Sequence, residues 1–176
     1  MRLLRRILFG LVVIVLAAAA ISYILPRHVI VEREMVMNAP PEVIFQHVNS
    51  LRAFSEWSPW GGHDPNMVVN YSGPETGVGN VMEWTSDHPN VGNGRQEITA
   101  VVENESVRTS LVFDGMGAAQ AWWTLTPEGD ATRVTWGLDA DMGNSPIGRW
   151  MGLMMDGFVG ADYERGLDQL RQTVEG

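Results

Sequence analysis

Residues 7–25 read ILFGLVVIVLAAAAISYIL, nineteen positions without a charge, so a helix here would be apolar on every face, as membrane spans are and surface helices are not. At 1.5 Å rise per residue the run reaches roughly 28 Å, about the hydrocarbon thickness of a bilayer. Arg2, Arg5 and Arg6 precede it, and Pro26 and Arg27 close it. The basic flank predicts an N-terminus held in the cytoplasm and a single pass through a bacterial inner membrane, with the rest of the chain facing the periplasm or exterior. Ala17 to Ala20 would also suit a signal peptidase, which would release a secreted product. The apolar run continues through Ile21, Tyr23, Ile24 and Leu25, however, which favours an uncleaved signal anchor. The chain divides accordingly into an anchor, 1–27, and one domain, 28–176.

Within that domain the pattern changes period three times. Val29 to Met37 alternates as a strand does. Asn38-Ala-Pro-Pro-Glu-Val then opens a short helix, with Asn38 as cap and Val43, Ile44 and Val48 turned inward. A second helical turn over Leu51 to Glu56 stops at Pro59 and Gly61-Gly62. From Met67 six period-two runs follow at hairpin spacing: 67–72, 79–86, 94–103, 107–114, 118–126 and 132–141. One face collects Met82 and Trp84; Ile98, Ala100 and Val102; Val107, Leu111 and Phe113; Ala121, Trp123 and Leu125; and Val134, Trp136 and Leu138. The other face carries Glu83, Arg95, Glu97, Arg108 and Arg133, as a solvated sheet surface does. After Asn144-Ser-Pro the period returns to 3.6. Ile147, Met151, Met154, Phe158, Tyr163, Leu167, Leu170 and Val174 form one side of a helix of about 30 residues with a break midway. Glycines 148, 152, 157, 160 and 166 interrupt it, at about 1 kcal/mol each relative to alanine, which implies close approach or space beneath the helix.

Composition mainly excludes. The 176 residues hold no cysteine, and all twelve basic residues are arginine. Disulfides, thiolate nucleophiles, lysine Schiff bases and a P-loop lysine are therefore absent. From His28 onward eight arginines face twenty-one acids, a formal charge of −13, which disfavours nucleic acid and anionic membrane surfaces as partners. His28, His47, His63 and His88 lack the spacing of metal ligands, so no metal is expected. Gly77-Val-Gly79, Gly92-Asn-Gly94 and Gly115-Met-Gly117 lack a third glycine at the dinucleotide spacing and read as hairpin turns, so no cofactor is expected. Paired carboxylates such as Asp139 and Asp141 lie at strand ends, and the glycosylation sequons at Asn70 and Asn104 are assigned no role.

The motifs Asn38-Ala-Pro-Pro-Glu-Val-Ile-Phe45, Glu56-Trp-Ser-Pro-Trp60, Met82-Glu-Trp84, Gly92-Asn-Gly94 with Ile98, Thr132-Arg-Val-Thr-Trp136 and Asp162-Tyr-Glu-Arg-Gly-Leu-Asp-Gln-Leu170, in this element order, resemble the START-like (SRPBCC) superfamily, specifically its polyketide cyclase/dehydrase branch, over about residues 30–175. The resemblance implies an α+β helix-grip fold, in which a seven-stranded curved antiparallel sheet wraps the long C-terminal helix and encloses a cavity for a hydrophobic molecule. It implies no single catalytic motif.

On that frame Trp84, Phe113, Trp123 and Trp136 project from the concave sheet face and Met151, Met154, Met155 and Phe158 from the helix, flat rings and flexible thioethers suited to an adaptable apolar pocket. Gln96 and Tyr163, with Asp114 and His63, are candidates for orienting polar groups at the rim. The reading is an anchored domain that binds a hydrophobic small molecule or lipid as carrier, scavenger or sensor, with no reaction required. One alternative is a cyclase, dehydrase or isomerase using Asp114 or His63 as the acid-base group. The other is a membrane-tethered module for a protein partner.

Overall fold

The computed structural model describes residues 2–88, 91–115 and 117–176, with the Arg2 side chain left aside. Met116, in the middle of the expected Gly115-Met-Gly117 turn, lies outside the described residues. The elements are α1 (Arg2–Ser22), β1 (His28–Met37), α2 (Pro41–Val48), α3 (Leu51–Trp57), a 3-10 turn (Pro59–Gly62), β2 (Val68–Ser72), β3 (Val81–Thr85), β4 (Gly94–Val102), β5 (Ser106–Phe113), β6 (Gly117–Glu128), β7 (Ala131–Asp141), α4 (Pro146–Gly152) and α5 (Met155–Glu175). The seven strands form one antiparallel sheet in the order β1-β7-β6-β5-β4-β3-β2. Every neighbour from β2 to β7 is consecutive in sequence, and β1 closes the far edge on β7, from His28 opposite Asp141 to Met37 opposite Thr132. The architecture is the expected α+β helix grip. A curved sheet faces α2, α3 and α5, and its inward side chains merge with theirs into one core.

Local chemistry sets the boundaries. α2 starts on Pro41, whose fixed φ suits the first helical position. Its cap is Pro40 and not Asn38, whose backbone N–H instead donates to Glu175 Oε1 at 2.7 Å. α2 buries Ile44, Phe45 and Val48, whereas Val43 lies outward. Ser50 caps α3 by accepting from Ala53 N, and Ser145 caps α4 by accepting from Gly148 N, with Pro146 following it. A bulge between Ile98 and Ala100 shifts the phase of β4. Ile98 therefore points into the core, but Val101 takes the half-buried position expected of Val102, and Ala100 and Val102 are exposed.

The long C-terminal helix does break, at Leu153 and Met154, and the break corrects the expected inward face. In α5 the buried residues are Gly160, Tyr163, Gly166, Leu167 and Leu170, with Val174 half-buried. Ile147, Met151, Met154 and Phe158 are exposed, Ile147 and Phe158 at 72% and 70%. Three of the five glycines are close approaches to the sheet, Gly152 among them, where a Cβ would lie 2.9 Å from Val29 Cγ2 of β1. A Cβ on Gly166 would lie 2.6 Å from the Trp136 ring, and one on Gly160 would collide with the Arg33 guanidinium. Arg33 in turn holds Asp156 and Glu164 of α5 at 2.9 and 2.8 Å, pinning that helix to β1.

Candidate functional site

Strand register sorts the inward face of the sheet into two halves. Towards the end where β1 begins and β7 finishes, the cross-strand row reads Met82, Gln96, Leu111, Ala119 and Ala140, flanked by Thr109, Ala121 and Leu138 on one side and by Trp84, Gly94 and Phe113 on the other. Three of these side chains are single methyl groups. Met142, Met155 and Val159 are half-buried against the core. Trp84 and Phe113 meet edge-on with centroids 5.7 Å apart, and the Trp84 ring occupies the space that a Cβ on Gly94 would need.

The next row along the strands is aromatic. Trp123 and Trp136 are cross-strand partners stacked at 5.6 Å, and Tyr163 of α5 lies face to face on the opposite side of Trp136 at 3.9 Å. Phe54, Trp57 and Trp60 meet Trp136 edge-on at 5.3 to 5.8 Å. This cluster closes the middle of the grip. Trp136 is thus a keystone of the core and not a free wall, and Tyr163 sits inside the core and not at a rim. Burial alone pushes the Tyr163 phenol well above its ordinary pKa. The indole N–H groups of Trp123 and Trp136 are buried with no acceptor among the described residues.

The other candidate polar groups separate. Gln96 is buried, not rim-placed, and donates through Nε2 to Thr109 Oγ1 at 3.0 Å. Asp114 lies exposed in the turn between β5 and β6, its backbone N–H bonded to Asn93 O. His63 does not pair with its neighbour Asp64. Its Nε2 lies 3.3 Å from Asp162 Oδ1, which Arg165 also contacts. Asp64 accepts from Ser86 Oγ at 2.5 Å and from Asn66 N, contacts that lower its pKa. Neither Asp114 nor His63 is buried beside a second group suited to proton transfer. Among the predicted lining residues, Trp84, Phe113, Trp123, Trp136 and Met155 share the grip interior, whereas Met151, Met154 and Phe158 lie on the outer surface. Ala119, Ala140 and Thr109 were missed because small side chains carry no chemical signature in a sequence, and Ala121 was placed on the inward face but not among the lining candidates. Their phase with Trp123 and Leu138 was the available signal.

At the same end of the sheet the chain enters from α1. Arg27 grips Asp141 through two hydrogen bonds of 2.7 Å, and that contact holds the Asp141 carboxyl well below the usual carboxylate range. Leu3–Ser22 is one helix long and apolar enough to cross a membrane. Among the described residues no cluster of three or more His, Asp or Glu could hold a metal ion.

The family model for polyketide cyclase / dehydrase and lipid transport matches residues 28–175. The domain belongs to that family. No curated protein matches the chain in sequence. Solved structures share the fold of this polyketide cyclase/dehydrase domain. The Thermus thermophilus protein TTHA0849 aligns at a TM-score of 0.61 with 17% identity, covering 82% of this chain and 96% of that one. A protein from Arthrobacter aurescens aligns at 0.59 with 14% identity, over 84% and 86% of the two chains. Protein CV1439 of Chromobacterium violaceum aligns at 0.55 with 19% identity, over 84% and 97%. At such identities the likeness is one of fold. The matched region starts where β1 starts, so the polyketide cyclase/dehydrase domain is the helix grip itself and α1 lies outside it.

Proposed function

We propose that this protein is a membrane-anchored binding domain for a hydrophobic small molecule or lipid, held between α5 and the half of the sheet nearest the anchor. In this reading α1 is an uncleaved signal anchor and the domain faces the periplasm or exterior, as Arg2, Arg5 and Arg6 before the span suggest. The observation that carries it is the contrast within one sheet face. A floor of alanines with a Gln96–Thr109 pair lies beside the packed aromatic keystone, whose two buried indole donors have no acceptor among the described residues. Unpaired buried donors cost roughly 1–3 kcal/mol each, and a carbonyl or hydroxyl oxygen on an apolar molecule would offset that cost. Such a site orients its ligand by a few polar groups and binds it by apolar burial, which needs no general acid or base.

The test uses the full-length protein purified in detergent, with co-purifying lipophilic molecules identified by mass spectrometry. Wild-type protein should carry an enriched apolar species that Ala121→Phe loses while its thermal unfolding stays within a few degrees. If both proteins carry the same unselective lipids, the interior is not a binding site and the tethered interaction module becomes the better reading. Ala121→Phe reports on packing as well, because an added ring in a close-packed core costs about 1–3 kcal/mol.

A further inference from the structure

We propose that α4 and the first turn of α5 form an interfacial membrane-docking face that lies in the bilayer leaflet from which α1 emerges, so that the domain rests on the lipid and does not hang from a free tether. The proposal rests on the reading of α1 as a membrane span. Its own evidence is separate. From Met142 to Met155 the chain has a single charge, Arg149, in a domain whose net charge is −13. Ile147, Trp150, Met151, Leu153, Met154 and Phe158 recur at helical spacing, and all six are exposed. A soluble domain rarely presents so contiguous an apolar face without a partner, and the contacts of α4 identify that partner as lipid.

Arg149 Nη1 donates to the carbonyls of Ser22, Tyr23 and Leu25 at 3.4, 3.0 and 3.2 Å. These carbonyls lie at the C-terminal end of α1, where a cation is favoured, and of the three Ser22 O also accepts a backbone bond, from Leu25 N at 3.2 Å. Trp150 Nε1 donates to Ala18 O at 3.2 Å, one turn further back along the same helix. α4 is therefore fastened alongside the last turn of the span, at the depth where an apolar helix meets headgroups. Tyr23, itself exposed, sits under the Arg149 guanidinium at 5.6 Å. Trp150, on Ala18 O, and Tyr23, under Arg149, both stand at the end of the span, the level where such rings collect in membrane proteins. The acids that flank this stretch, Asp141 and Asp156, are each held by an arginine, Arg27 and Arg33. Docked in this way, the end of the grip bearing Phe113, Trp84 and the alanine floor stands at the lipid surface, since β7 ends and α1 exits at that same edge.

The absence of cysteine makes the test direct, because one introduced cysteine takes one label. The full-length protein is reconstituted into phosphatidylcholine vesicles containing spin-labelled lipids, either near the headgroup or near the chain end, and an environment-sensitive fluorophore is placed in turn at Leu153→Cys, Phe158→Cys, Val13→Cys and Asp130→Cys. The labels at 153 and 158 should be blue-shifted and quenched several-fold more by the shallow spin label than the label at 130, and shielded from aqueous iodide. The label at 13 should respond to the deep one. If 13 lies in lipid while 153 and 158 remain open to iodide, the docking face is overturned and the anchor stands. If 13 itself is not quenched, both fail. Shielding of 153 and 158 from iodide without quenching by lipid means that protein covers the face, and this also overturns the proposal. All four positions are exposed, so labelled variants are expected to keep the wild-type unfolding transition, and either of the two docking positions suffices if the other does not fold.

Discussion

Trp136 of β7 and Tyr163 of α5 stack with their planes within 10° and their centroids 3.9 Å apart. This pair is the mechanical joint of the grip. On the sheet side Trp136 is backed by Trp123, and on the helix side Tyr163 is held where Gly166 lets α5 come down on the same indole. Truncation of a large buried aromatic costs about 3–5 kcal/mol. Tyr163→Ala should therefore lower the unfolding free energy by that order, whereas Tyr163→Phe keeps the ring and should change it by less than about 1 kcal/mol. Chemical denaturation of the two variants distinguishes the cases, and equal, small losses would show that the stack carries little.

The same burial makes stability fall in alkali. An ordinary tyrosine ionises near pH 10, and burial raises the folded-state pKa of Tyr163 above that. Below about pH 10 both the folded and the unfolded chain hold this proton, so the full stability is present. Above it the unfolded chain releases the proton and the folded chain does not, so stability declines by about 1.4 kcal/mol per pH unit until the folded-state pKa is passed. The denaturation midpoint followed through this range should drop more steeply in wild type than in Tyr163→Phe. A tyrosinate signal from Tyr163 while the protein is still folded near pH 10 would contradict the assignment.

Gly166 is a packing requirement and not a flexibility. Its missing Cβ is the space taken by the Trp136 ring and Pro59. Gly166→Ala gains helix propensity of about 1 kcal/mol but must move the indole or the helix, and overpacking of this kind costs about 1–3 kcal/mol. The net outcome expected is destabilisation, read as a lower thermal midpoint. At Gly157, where an added methyl group meets nothing, the same substitution should stabilise.

The strand periodicity made most of this architecture legible. Trp84, Trp123, Trp136 and Leu138 alternate without interruption along strands solvated on one face, and that pattern specifies both register and inward side. It failed where the backbone departs from a regular period. The bulge after Ile98 exchanged Val102 for Val101. The break at Leu153 and Met154 let α4 turn its apolar residues outward, although their spacing is continuous with that of Tyr163, Leu167 and Leu170. Periodicity finds an apolar face but not what covers it, and the contacts of Arg149 and Trp150 with the end of α1 are long-range facts with no local signal. The interior was half legible. Aromatic side chains announce themselves, whereas the alanine floor and the Gln96–Thr109 pair depend on which residues cross-strand pairing brings together.

The two parts of the C-terminal helical stretch should respond oppositely to truncation, although the sequence pattern treats them alike. Leu170 of α5 is completely buried in the core, while Phe158 is 70% exposed. Removing a buried leucine side chain loses its transfer free energy and leaves a cavity, together about 2–5 kcal/mol. Removing a mostly exposed phenylalanine loses little burial, and surface changes usually stay within about 0.5 kcal/mol. In full-length protein in detergent, Leu170→Ala should thus lower the unfolding midpoint markedly and Phe158→Ala should leave it near wild type. A large loss at Phe158 with none at Leu170 would mean that α5 is rotated about its axis, and large losses at both would restore the inward face that the continuous 3.6 period suggests.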